Sequence, residues 1–141
     1  MKNTFGSALC LTIFGESHGA GVGAVLDGMA AGVPVDPAAL AALMDKRRAR
    51  GDGLSTARVE ADEVRILSGV VNGRTTGTPL TLLIENHNTR SGDYAATAAL
   101  LRPGHADYTA YARYRGWQDA RGGGHFSGRI TAGLVAGGGV V

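Results

Sequence analysis

Cysteine is nearly missing from this 141-residue chain: Cys10 stands alone, so neither an internal disulfide nor a cysteine-based metal site is available to it. Set within the apolar run Ala8 to Phe14, it reads as a small core residue. No apolar stretch approaches the roughly 20 residues a membrane-spanning helix needs. The N-terminus also lacks the charged region, apolar core and cleavage site of a secretory leader, so a cytoplasmic location is the expectation. A large excess of either charge is missing too. A formal net charge of +2 and a pI near 9.0 create no demand for nucleic acid or an anionic membrane as partner. Lysine is the scarcer cation, with only Lys2 and Lys46 against twelve arginines. The planar fork of arginine suits bidentate contact with phosphate or carboxylate, although a compositional bias toward Ala, Gly and Arg explains the ratio equally well.

What is plentiful is glycine, 23 of 141 residues, against a usual level of about 7%. Glycine costs conformational entropy wherever it sits, so this many of them point to tight turns or to backbone closely approaching another group. Hydrophobic residues at 44% and a mean hydropathy near zero describe a globular chain with a real core, expected as a single domain over residues 1–141.

The run Ala8 to Phe14 predicts a buried strand that stops at Gly15-Glu16-Ser17-His18-Gly19, and Val22 to Leu26 predicts a second. Asp36 is placed to cap a helix with Pro37 at its first position, running to about Arg48 with Leu40, Leu43 and Met44 on one face. Arg47 follows that apolar face, which aims it inward or lets it snorkel to solvent. Val64 to Val71 and Thr75 to Glu85 around Asn72-Gly73 predict a hairpin, hence antiparallel sheet. Asp107 is expected to cap a short helix carrying Tyr108, Tyr111 and Arg115. Ser127 is expected to cap another through Ile130 and Leu134, which meets Gly137-Gly138-Gly139. An apolar ending at Val140-Val141 directly after a helix reads as an interruption of a longer chain. The short polar stretch Ala49 to Ala57 is the one linker-like segment.

Three clusters carry candidate chemistry. Gly15 to Gly19 formally matches the G-x-S-x-G nucleophile elbow, but an elbow needs a helix directly after it, and Ala20 to Gly28 is strand-like. The looser dinucleotide pattern Gly19-Ala20-Gly21-Val22-Gly23-Ala24 fails for the same reason. What remains is a loop in which His18 is either a satisfied turn histidine or a proton donor beside Ser17. Arg102-Pro103-Gly104-His105-Ala106-Asp107 joins cations and an imidazole to a helix start, which favours an anion, unless it is a solvated loop of structural Arg–Asp pairs. Arg121-Gly122-Gly123-Gly124-His125-Phe126-Ser127-Gly128-Arg129 feeds three glycines into a helix. There Arg129 opposes the macrodipole unless an anion lies nearby. By residue type alone Phe126 is core.

Together FGESHG, RPGHAD and RGGGHFSGR, with the intervening ILSGVVNGRTTGTPLTLLIEN, strongly resemble chorismate synthase across essentially the whole chain in one register. The resemblance implies an α+β fold with helices sandwiched between antiparallel sheets, here an incomplete domain, and a homotetramer. It implies a lyase that removes the 3-phosphate and a C6 hydrogen from 5-enolpyruvylshikimate 3-phosphate by anti-1,4-elimination. Reduced FMN is the implied cofactor, with NADPH a candidate source of the reducing electrons, and no metal, nucleic acid or membrane is implied. Carried over by position, His18 protonates the departing phosphate and His105 protonates or balances the reduced flavin. Ser17, Arg47, Ser127 and Arg129 bind substrate, His125, Phe126 and Ser127 touch FMN, and Arg102 and Arg121 are weaker candidates. Two departures stand out. Gly53 replaces an arginine common in the family, leaving Arg50 as a possible substitute, and His125-Phe126 replaces a common Arg-Ser. Family members also run on past this ending, so the second expectation is a non-catalytic anion-binding or assembly fragment.

Overall fold

The computed structural model describes residues 2–49, 61–87 and 100–141. Arg50 and Gly53, and most of the linker-like stretch, lie outside them. Five strands form one antiparallel sheet in the order β1 (Thr4–Gly6), β2 (Cys10–Gly15), β3 (Gly21–Asp27), β7 (Leu80–Glu85), β4 (Val64–Ser68). The central pair is apolar by alternation: Val22, Ala24 and Leu26 on β3 and Leu80, Leu82 and Ile84 on β7 are almost completely buried. Fully burying each of the larger ones contributes about 1.5–3 kcal/mol.

Two helices cover this set, α1 (Pro37–Arg47) and α3 (Thr131–Gly138), so the chain is α+β, as the family resemblance implies. The Asp36 carboxylate caps α1 by accepting from the amides of Ala38 at 2.8 Å and Ala39 at 3.3 Å, and the helix buries Leu40 and Met44. Helix α3 lies unusually close to the sheet because it presents Ala132, Gly133, Ala136 and Gly137. A Cβ on Gly133 would run into the carbonyl of Gly23. The second sheet among the described residues is small, β5 (Val70–Val71) with β6 (Arg74–Thr75).

That small ladder is the tip of the expected hairpin. The arms do pair, but a bulge after Ile66 and the positive φ of Gly69 turn the tip out of the main sheet. Asn72 and Gly73, both at positive φ, close it as a two-residue turn. Buried Thr75 then ties the tip to residues 30–35, its hydroxyl donating to the Ala30 carbonyl at 2.6 Å and accepting from the Val33 amide at 2.9 Å.

Three expectations need correction. Asp107 does not cap helix α2 (Asp107–Tyr114): Ala106 holds the cap position without a side-chain bond, because the Asp107 carboxylate is taken by Arg102. Arg115 is not within that helix but ends it in the left-handed conformation. Cys10 is half-buried rather than core, since β2 is only partly covered along its length, and its thiol donates to the Ser7 carbonyl at 3.3 Å. Ser127 does act as a cap, accepting from the Arg129 amide at 3.2 Å, although one 3-10 turn (Gly128–Ile130) precedes α3.

Candidate functional site

Residues 16–20 connect β2 to β3 with no helix behind them, which removes the nucleophile-elbow geometry. The loop is bolted to the glycine-rich 3-10 segment Arg121–Phe126. The Ser17 amide donates to the Gly124 carbonyl at 3.1 Å, the Ser17 hydroxyl to the Arg121 carbonyl at 3.4 Å, and His125 Nδ1 sits 2.8 Å from the Gly15 carbonyl. Gly122, Gly123 and Gly124 all take positive φ, which lets the backbone coil tightly beneath the loop.

This coil brings the two imidazoles together. A Cβ on Gly122 would overlap the ring of His18, and a Cβ on the next residue, Gly123, would overlap the ring of His105. Side chains 87 positions apart therefore rest on consecutive residues, whose Cα atoms are about 3.8 Å apart. Buried Ser17 lies beside them, its Oγ 3.1 Å from His18 Nδ1.

Each imidazole has an Asp–Arg pair next to it. Arg102 grips Asp107 with its amide, Nε and Nη2 at 2.8–2.9 Å, and His105 Nδ1 lies 3.0 Å from Asp107 Oδ1, close enough for an ion pair when protonated but out of line for a hydrogen bond. The Arg102 guanidinium, first among several causes, holds the Asp107 carboxyl far below the usual carboxylate range. Arg121, first among the causes, likewise lowers the Asp119 carboxyl from its ordinary value, with His18 adding a smaller attraction. Arg102 and Arg121 are thus each paired with a carboxylate beside an imidazole.

The other two candidate arginines meet on one carboxylate. Asp62 is buried at 4% exposure, with Oδ2 accepting from Arg47 Nη1 at 2.6 Å and Oδ1 accepting from Arg129 Nη1. Arg47 therefore points inward, also donating to the Gly128 carbonyl and the Thr131 hydroxyl. Arg129 Nε donates to Asn86 Oδ1 at 3.0 Å. The amide nitrogen of Asn86 donates in turn to the carbonyls of Glu16 and Gly19, both at 3.0 Å, so the arginine pair and the Ser17–His18 loop share one strut. The anion expected beside Arg129 is present, and it is a side chain of the same protein.

His125, Phe126 and Ser127 do not act as one unit. Ser127 Oγ is turned toward the Arg129 amide. His125 and Phe126 instead line a cleft of about 480 Å³ with Phe14, Tyr114, Trp117 and Gln118. Phe126 packs on Tyr114 at 5.9 Å between ring centroids, and Gln118 Oε1 is a buried acceptor with no partner among the described residues. Among those residues no group of three or more His, Cys, Asp or Glu side chains is placed to hold a metal, and no helix is long and apolar enough to cross a membrane.

Sequence reasoning did not single out Asp62 or Asn86. Their signal is weak because an acid before a strand and an amide after one are ordinary; only their three-dimensional partners distinguish them.

Comparison with known proteins adds independent findings. A family model described as chorismate synthase matches residues 9–141. The chain is 52% identical over 136 residues to the chorismate synthase of Desulfovibrio desulfuricans, covering 96% of this chain and 37% of that protein. It is 46% identical over 140 residues to the one from Dehalococcoides mccartyi, covering 99% and 38%. A solved structure titled "Crystal Structure of Chorismate Synthase" superposes with a TM-score of 0.65 at 30% identity, covering 95% of this chain and 32% of that one. The chain spans under two fifths of the length of these relatives.

Proposed function

Because the chain belongs to the chorismate synthase family, we propose that it supplies the acid and anion-binding groups of a lyase that converts 5-enolpyruvylshikimate 3-phosphate to chorismate and phosphate by anti-1,4-elimination. The observation that carries the reading is the placement of His18 and His105 against consecutive glycines, with Arg47 and Arg129 linked to the same loop through Asn86.

The departing phosphate needs a proton and a cationic wall. Ser17 donates its hydroxyl hydrogen to the Arg121 carbonyl, leaving its oxygen to accept from Nδ1–H of His18. In the imidazolium both nitrogens are protonated and the Nε2 proton is the one to be delivered, and imidazole changes charge in the range where such transfer is efficient. Arg47 and Arg129 hold the anionic groups of the substrate, with Ser127 beside them. His105, whose Nδ1 lies 3.0 Å from Asp107 Oδ1, is the group assigned to a partner that carries negative charge.

The donor set fits reduced FMN: a charge-balancing imidazole at His105, and a cleft with aromatic walls at His125 and Phe126 that also holds the unpartnered acceptor of Gln118, the chemistry an N–H-bearing planar ring requires. When bound, reduced FMN supplies an electron transiently with no net redox change. NADPH as source of its reduction, a homotetrameric assembly and a cytoplasmic location belong to the same reading.

The test is an anaerobic assay of the full-length protein with reduced FMN and the enolpyruvyl substrate. His18→Ala and His105→Ala are each expected to lower turnover by about 10²–10⁴-fold, the usual size of general acid–base contributions. Wild-type turnover in both variants would remove the assignment.

A further inference from the structure

Asp62 is a strange residue to find purely as scaffold. Its side chain is 1% exposed, its backbone sits at φ +52°, and it takes one guanidinium on each oxygen. One buried carboxylate satisfies one buried cation; here it faces two, so the trio retains a net charge of +1 with Arg129 only 7% exposed. An uncompensated buried charge is costly, and a further anion relieves it.

The hydrogen bonds leave room for that anion. Among the described residues, Arg129 uses Nε toward Asn86, Nη1 toward Asp62 and Nη2 toward the Glu85 carbonyl. Arg47 uses Nε toward Thr131, Nη1 toward Asp62 and Nη2 toward the Gly128 carbonyl. A guanidinium carries five N–H groups, so each arginine keeps two, one on each terminal nitrogen. Asp62 fixes where those four donors point, because it clamps the two forks relative to each other from three separate parts of the chain: the end of α1, the approach to β4 and the turn before α3.

We propose that Asp62 is a positioning residue of the anion site. It sets the mutual orientation of Arg47 and Arg129 and halves their charge, so that a phosphate or carboxylate is bound through the remaining donors in one geometry. This rests on the reading that the two arginines bind substrate, and the experiment separates the two claims.

Asp62→Asn and Asp62→Glu are made in the full-length protein, with folding monitored by circular dichroism and thermal unfolding. Inorganic phosphate affinity is measured by calorimetry, and KM and kcat for the enolpyruvyl substrate are measured with reduced FMN. Asp62→Asn removes the charge, and Asp62→Glu keeps it but shifts the carboxylate by one methylene. The expected result for Asp62→Glu is a rise in phosphate Kd and in KM of about tenfold or more as the two forks lose their shared orientation, with kcat changed much less; Asp62→Asn, which frees the forks and also adds net positive charge, is expected to depart from the wild-type Kd and KM as well. Should Asp62→Asn not fold, Asp62→Glu decides alone. Wild-type Kd and KM in the folded variants overturn the proposal, as does absence of phosphate binding by the wild type. If the wild-type protein binds phosphate but does not turn over the substrate, the lyase reading falls while the phosphate measurements still decide the role of Asp62.

Discussion

His105 occupies the space that a side chain on Gly123 would need. Gly123 is also held at φ +94°, so the glycine is required twice, once by its own backbone and once by the imidazole resting on it. Gly123→Ala is expected to destabilise the protein by about 1–3 kcal/mol through backbone strain, and to lower activity further by displacing His105. Gly138→Ala, where nothing lies within 4 Å and the backbone is helical, is expected to raise stability by about 0.5–1 kcal/mol. Chemical denaturation of the two variants gives the comparison, and equal effects would contradict it.

Asn86 ties the Ser17–His18 loop to the arginine pair through three side-chain hydrogen bonds. Asn86→Ala leaves two loop carbonyls and a buried guanidinium short of partners. A loss of about 1–3 kcal/mol in unfolding free energy is expected, accompanied by a fall in kcat as His18 loses its fixed position. Retention of both quantities would show the strut to be dispensable.

Ser17→Ala removes the group that faces His18 Nδ1 and donates to the Arg121 carbonyl. Turnover is expected to fall with KM changed less, since the imidazole loses the hydroxyl 3.1 Å from its Nδ1. Wild-type kcat would separate Ser17 from the acid step.

Asp107 and Asp119 are held below their ordinary range by Arg102 and Arg121. A depressed folded-state pKa means stability that is fully present above the unfolded value of about 3.9 and lost as pH falls through the folded value. Asp107→Asn is therefore expected to reduce stability at pH 6 and to flatten the decline in stability below about pH 4. Unfolding curves collected from pH 6 to pH 2 provide the check; a slope below pH 4 equal to that of the wild type would refute it.

Local signals in the sequence were enough for the elements that rest on local physics. Asp36-Pro37 announces the start of α1, Asn72-Gly73 announces a tight turn, and the absence of helical pattern after Gly19 excludes an elbow. One error fell where a neighbouring side chain competes with the cap for the same carboxylate. Asp107 has the right side chain for a cap, yet Arg102 offers it three N–H donors, and a charge-assisted set of bonds exceeds a cap in strength. The hairpin was legible as a pairing, but not as two ladders, which are separated by the bulge after Ile66 and the turn at Gly69.

By itself the sequence determined which chemistry was available: imidazoles, arginines and glycine-rich turns in three motifs, and a hairpin signal at Asn72-Gly73 that predicts antiparallel sheet. Tertiary structure alone decided that His18 and His105 share a floor, and that Arg47 and Arg129 converge on Asp62 rather than on solvent. The reason is physical. Propensity and periodicity act over a few residues, whereas the partner of a buried charge is selected by burial and geometry over the whole fold, and no local pattern encodes it.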